Sequence, residues 1–135
     1  MFSLYHTADN LWYGRFSVFP QDKVIHAVST RFCGVSSAPF DGLNLALHVG
    51  DNETAVLENR RLFSAGLGLE PSYITTCQQV HGNKVACITK ENIGAGAFSL
   101  NDTIKDTDAL ITNLQGAALT LFFADCTPIM LYDPV

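Results

Sequence analysis

Apolar residues in this chain fall into short runs. Residues 11–19 and 24–29 are rich in aromatic and β-branched side chains and are separated by Pro20-Gln21-Asp22, which predicts two strands joined by a turn. Residues 31–50 scatter Gly34, Pro39, Gly42 and Gly50 among small polar residues and read as a long irregular loop. Loops of that length in a compact domain are usually functional or disordered, and Phe40, Leu43, Leu45 and Leu47 favour an ordered one. The period then changes. From residue 52 to 65 the spacing predicts a helix, with Ala55, Val56, Leu62, Phe63 and Leu69 on one stripe at 100° per residue. Asp51 is placed to cap it, Glu53 suits its positive N-terminal end, and Gly66 and Gly68 stop it.

Two polar residues interrupt that stripe: Asn59 in its middle and Arg60 at its edge. A buried amide must be hydrogen-bonded, and a buried guanidinium needs an anion or carbonyls. Either Asn59 ties down the neighbouring loop while Arg60 pairs with a carboxylate, or both meet a substrate. Beyond the helix, residues 73–80, 84–90, 109–112, 117–124 and 128–132 are all of strand length, and 91–107, with Gly94 and Gly96, is a polar loop. No repeat or low-complexity segment appears. Strands, one helix and then more strands predict a single α+β domain over residues 1–135, with a mixed sheet and few helices.

Composition narrows the function. At 135 residues and 47% hydrophobic content the chain is long enough to bury a core. A net charge of −5 with scattered Lys and Arg argues against a nucleic-acid binder. No run is long enough to cross a bilayer, and Met1-Phe2-Ser3-Leu4-Tyr5-His6 lacks the marks of a signal peptide, so a cytoplasmic protein without membrane partners is expected. In a reducing compartment the four cysteines stay thiols, with Cys77 and Cys87 as small core residues. Leu131-Tyr132-Asp133-Pro134-Val135 reads as a buried strand reaching its turn, so the chain is expected to be a fragment, incomplete at its C-terminus.

Two motifs carry the chemistry: Gln79-Val80-His81-Gly82, and Ala124-Asp125-Cys126-Thr127-Pro128. An imidazole and a thiolate are good zinc ligands, but a catalytic zinc normally takes three protein ligands, so the pair reads as half a metal site. The spacing is not that of a zinc finger or ribbon, so any shared site must come from tertiary folding. A Cys126 thiolate activated by His81 is the metal-free alternative, and the residues alone leave both open.

Read in order, the chain shows Ser29-Thr30-Arg31, Gly34-Val35-Ser36, Asn44-Leu45, Val49-Gly50-Asp51, Asn59-Arg60, Gln79-Val80-His81-Gly82, Asp108-Ala109-Leu110 and Ala124-Asp125-Cys126-Thr127-Pro128. From about residue 29 to 134 this set closely resembles the YfiH-like family, also called laccase-domain or polyphenol oxidase proteins. The resemblance implies an α+β fold shared with cysteine hydrolases and a zinc site of His, Cys and His. His81 and Cys126 match the first two ligands; the third belongs to a His-Ala-Gly-Trp-Arg-Gly-like motif that this sequence does not contain. Cys33 stands where the family more often has glycine.

The resemblance further implies phosphorolysis of purine nucleosides (adenosine, inosine, guanosine and methylthioadenosine) and adenosine deamination. The substrates would be a purine nucleoside and phosphate, and older family usage names a copper-dependent polyphenol oxidase. Arg60 and, less directly, Arg31 are the sequence's candidates for a phosphate site, Asn44 and Gln79 for orienting the substrate, and Asp125 for orienting a ligand or accepting a proton. His48 reads as a loop-ordering residue. Four histidines (His6, His26, His48 and His81) are too few for a multi-copper cluster, which favours zinc over copper. The remaining alternatives are a metal-free Cys/His hydrolase and a non-catalytic partial module, with oligomeric state left open.

Overall fold

The computed structural model describes all residues 1–135. Its N-terminal sheet is antiparallel, with β1 (Phe2–His6), β2 (Trp12–Phe16) and β3 (Val28–Ser29) in that order. Register runs from Phe2↔Phe16 to His6↔Trp12, which sets like residues opposite one another: the Phe2 and Phe16 rings lie 5.1 Å apart and those of Tyr5 and Tyr13 6.0 Å. Cross-strand aromatic pairs of this kind stabilise a sheet. β2 and β3 fall within the two runs expected from sequence, whereas β1 occupies residues for which the sequence predicts no element.

The 31–50 segment is irregular and ordered. Ser36 and Gly42 exchange backbone hydrogen bonds of 3.2 Å, and a 3₁₀ turn closes the segment at Leu47–Val49. At Gly34 the backbone of Gly42 approaches so closely that a Cβ would lie 2.0 Å from its carbonyl oxygen, which explains the small residue there. Cys33 adopts φ +66°, the left-handed conformation that glycine takes without cost, so the local geometry is the one a glycine would give.

Helix α1 (Glu53–Gly66) follows. Its cap is Asn52, whose side chain accepts from the Ala55 N–H at 3.0 Å; Asp51, the expected cap, instead accepts from Ser36 Oγ at 2.6 Å and Asn44 Nδ2 at 2.8 Å. The helix ends where the Leu69 N–H reaches back to the Ser64 carbonyl at 2.8 Å, with Gly68 at φ +71°. Leu11, Tyr13 and Leu43 form the apolar core, flanked by Ala27, Leu45, Phe63 and Leu67. One side of α1 thereby seals the loop against the first sheet.

The C-terminal half forms two parallel pairs: β4 (Ile74–Thr76) with β7 (Ala118–Thr120), and β5 (Val85–Cys87) with β6 (Ala109–Ile111). The fold is α+β, with its mixed pairing spread over three small sheets. These strands are shorter than their apolar runs because backbone partners extend over only three residues. Residues 128–132, expected as a strand, find no ladder partner and form none. Cys77 is buried as expected, but Cys87 is exposed because it stands on a two-stranded pair.

His26 gives a pH-dependent element to the N-terminal sheet. Its Nε2 accepts from the Phe16 N–H at 2.8 Å and its ring packs 4.6 Å from that of Phe19. Burial, and then the charge of Arg15, hold its pKa below the ordinary value, so the folded state favours the neutral ring more than the unfolded chain does. The unfolded chain binds the proton more readily. The stability His26 contributes is therefore complete above its unfolded pKa, about 6.5, and is lost as pH falls below that toward the lowered folded value. The urea midpoint is expected to drop between about pH 7 and pH 5, and His26→Gln to flatten that dependence. An unchanged slope in the variant would assign it elsewhere.

Candidate active site

Strands β4 and β7 run parallel in register, Ile74↔Ala118 through Thr76↔Thr120, so both chains leave the pair at the same end. The β4 exit carries Gln79 and His81, and the β7 exit carries Phe122, Asp125 and Cys126. Gln79 ties the two exits together: its Oε1 accepts from the Phe122 backbone N–H at 2.8 Å. The carboxyl ends of parallel strands are where open α/β sheets place ligands, because the diverging segments leave a crevice between them.

His81 is held by its backbone. Asp108 Oδ1 accepts from the Val80 N–H at 2.8 Å and the His81 N–H at 2.7 Å, while Oδ2 accepts from the Gly82 N–H at 2.8 Å. Three successive donors converge on one carboxylate only if the chain turns sharply, and His81 accordingly adopts φ +59°. For an L-residue that conformation costs roughly 1–2 kcal/mol, which the clamp offsets. Partial desolvation pushes the Asp108 carboxyl upward, but the N–H groups of Gly82, His81 and Val80 together outweigh it and hold its pKa below the usual carboxylate value. In the sequence Asp108 stands out only as part of the Asp108-Ala109-Leu110 motif, with no role attached to it. The available signal was an Asp immediately before the Ala109–Ile111 strand, and nothing local reveals a partner 27 residues away.

Asp125 and Cys126 are exposed, and Cys126 is a free thiol. Cys77, the nearest cysteine to His81 in sequence, has its pKa raised to about 11 by burial and by the charge of Asp108, which keeps it protonated and unreactive. No three or more His, Cys, Asp or Glu side chains cluster closely enough to hold a metal ion. The donors of this chain therefore suit zinc in kind, imidazole and thiolate, but fall short of a closed site in number.

The remaining expected site residues support the loop beside this end. Asn59, with no exposed surface, accepts from the Val35 N–H at 2.8 Å and donates to Ser36 Oγ, the Gly42 carbonyl and the Asn44 carbonyl at 2.9, 3.2 and 2.9 Å. Arg60 has no carboxylate partner. Its Nε donates to the Leu45 carbonyl at 2.8 Å and its Nη1 to the Gly96 and Ala97 carbonyls at 2.6 and 2.7 Å. Burial lowers its pKa to about 10, which still leaves it charged at neutral pH. Asn44 spends its amide on Ala46 and Asp51, and Arg31 lies at the surface against Asp41 at 3.1 Å. Of the expected set, only Gln79, His81, Asp125 and Cys126 share the β4/β7 exit. His48 joins them indirectly, its ring 6.1 Å from that of Phe122.

Comparison with known proteins bears on this arrangement. Residues 25–135 match the family described as multi-copper polyphenol oxidoreductase laccase. The chain is 36% identical over 113 residues to the purine nucleoside phosphorylase YlmD of Bacillus subtilis, covering 84% of this chain and 41% of that protein. It is 40% identical over 109 residues to the purine nucleoside phosphorylase ORF3 of Streptomyces griseus, covering 81% and 42% respectively. Among solved structures, YlmD from Geobacillus stearothermophilus superposes with a TM-score of 0.73 at 38% identity, over 74% of this chain and 37% of that one. The hypothetical protein YfiH of Bacillus licheniformis gives the same TM-score at 33% identity, over 74% and 38%. The chain spans about two-fifths of the length of the curated relatives it matches.

Proposed function

The chain belongs to the family described as multi-copper polyphenol oxidoreductase laccase, and from that premise we propose that it supplies part of the active site of a purine nucleoside phosphorylase. The reaction breaks the bond between the ribose C1′ and the purine nitrogen, forms a C1′–O bond to phosphate, and leaves the proton on the departing base. Nucleoside and phosphate are the two substrates. One observation supports this reading most: the in-register β4/β7 pair and the Gln79–Phe122 hydrogen bond send the His81 and Cys126 segments out of one end of the sheet.

His81 and Cys126 are assigned as two metal donors, and zinc as the ion. Of the other histidines, His6 packs on Trp12 with ring centres 4.9 Å apart, and His26 is bonded to Phe16. Within these 135 residues that leaves too few imidazoles for a cluster of coppers. Two donors do not make a complete catalytic site. Gln79 holds the two exits in register, Asp125 stands as a proton acceptor beside Cys126, and Asn44 and Arg60 keep the adjoining loop in place. Arg31 is held at the surface by Asp41, outside the β4/β7 exit, and is the weaker candidate for meeting phosphate.

The test follows zinc content and base release in the same protein. In a protein that also carries the third ligand, stoichiometric zinc is expected, lost on His81→Ala or Cys126→Ala, together with phosphate-dependent release of hypoxanthine from inosine; the 135 residues alone are expected to bind zinc weakly and turn over little. Inosine formed from adenosine without phosphate would add deamination. Metal-free protein that is inactivated by a thiol electrophile, and that releases base without phosphate, would overturn the reading in favour of a Cys/His hydrolase.

A further inference from the structure

A cavity of about 250 Å³ lies where the Leu47–Val49 turn meets the ends of β4 and β7. It is smaller than the roughly 300 Å³ at which pockets for drug-sized ligands begin, so it suits a small ion better than a whole nucleoside. Its walls include His48, Thr76, Gln78, Thr103, Lys105 and Phe122, and no carboxylate. Thr76 is only 2% exposed. Its backbone is fully used, donating to the Ala95 carbonyl at 2.8 Å and accepting from the Ile104 N–H at 3.3 Å, but its hydroxyl has no partner within the protein. That hydroxyl is open to the cavity and free to donate to an occupant.

Two cations stand near the cavity, Lys105 in its wall and Arg60 behind it, while the Asp108 carboxylate acts on the Cys77 side of the wall. Lys105 Nζ donates to the Leu100 carbonyl at 3.1 Å and has two further N–H groups to give. Behind the Phe122 wall, the Arg60 guanidinium lies 4.9 Å from the ring centre with no carboxylate to neutralise it. Arg60 therefore does not itself contact the ion but biases the cavity toward anions.

We infer that this cavity binds a tetrahedral oxyanion, with Lys105 Nζ and the Thr76 hydroxyl as its principal donors. The assignment of that oxyanion as the phosphate co-substrate rests on the phosphorylase reading; the anion site itself does not.

The test is an amide NMR titration of the 135-residue chain at constant ionic strength with inorganic phosphate, ribose 1-phosphate or chloride. Saturable shifts at Thr76, Gln79 and Lys105 are expected with phosphate and not with chloride, weakened about tenfold or more by Lys105→Ala and by Thr76→Val. Saturation by ribose 1-phosphate alone would put the oxyanion on the sugar while keeping the site. Lys105 is exposed, so its variant keeps the test valid if Thr76→Val does not fold. Equal affinity in the Lys105→Ala chain, or equal shifts with chloride, would overturn the inference. Phosphate binding at these residues without phosphate-dependent base release would overturn the phosphorylase reading and leave the cavity. Phosphate-dependent base release with an unchanged KM for phosphate in Lys105→Ala would do the reverse.

Discussion

Asn59→Ala is expected to lower the unfolding free energy by at least about 3 kcal/mol, a large part of the roughly 5–15 kcal/mol that holds an ordinary domain. The amide makes four hydrogen bonds from a position with no exposed surface, and all four reach the 31–50 loop. Truncation leaves the Val35 N–H without an acceptor and takes a donor from the Asn44 and Gly42 carbonyls, the latter still bonded by the Ser36 N–H; these partly buried groups cost up to about 1–3 kcal/mol each where nothing replaces the partner, and the emptied, fully buried site adds to it. Urea denaturation measures the effect. Asn59→Asp is the informative companion, because it keeps the acceptor facing Val35 but sets a carboxylate oxygen against two carbonyls and should be no more stable than the alanine variant. A wild-type midpoint in Asn59→Ala would mean that the loop is held by other contacts.

That residue also marks how far the sequence could be read. A polar side chain in the middle of an apolar stripe must have partners, so the need for a network around Asn59 and Arg60 was legible. Which groups answer it was not. The partners of Arg60 are the carbonyls of Leu45, Gly96 and Ala97, and backbone acceptors leave no mark in a sequence because every residue carries one. The helix was readable to within a residue or so at each end, since its periodicity and its stop signals agree; the cap shifted from Asp51 to Asn52 because Asp51 is drawn to Ser36 and Asn44 across the loop. Strand lengths were overestimated for a related reason. An apolar run says that a segment is suited to a sheet, but its extent is set by the partner, and the run at 117–124 meets β4 over only three residues.

The site divides the same way. His81 and Cys126 stand out by chemistry and by the motifs around them, and the parallel β4/β7 pair explains why two segments distant in sequence emerge together. The groups that hold them in place were invisible. Gln79 was read as a substrate contact, yet its oxygen is already bonded to the Phe122 backbone, which makes it a tie between exits. Lys105 and Thr76 drew no notice because a surface lysine and a strand threonine are ordinary residues until a cavity joins them.

Asp108→Ala should then affect the metal more than the fold. The carboxylate is the sole side chain that bonds the N–H groups of Val80, His81 and Gly82, and these hold His81 in the left-handed conformation that aims its side chain. Without them the turn is free to relax to an ordinary backbone, swinging the imidazole away from its present direction. Zinc affinity is expected to fall on the order of tenfold to a hundredfold, the range found when groups that orient a ligand are removed. Asp108→Asn retains one oxygen, able to keep the Val80 and His81 bonds, but turns an N–H₂ toward the Gly82 N–H, so its affinity should lie between the two. The acid limit has a definite sign. Because the clamp lowers the folded pKa of Asp108, its contribution is complete above the unfolded value of about 3.9 and disappears only as pH falls through the lower folded one, so acidification from pH 7 to about pH 5 should leave it intact. Zinc competition titrations on the three chains, with urea midpoints measured alongside, separate aim from stability. Unchanged zinc affinity in Asp108→Ala would show that the turn holds His81 without the carboxylate, and a loss of affinity matched by general unfolding would make Asp108 a residue of the fold alone.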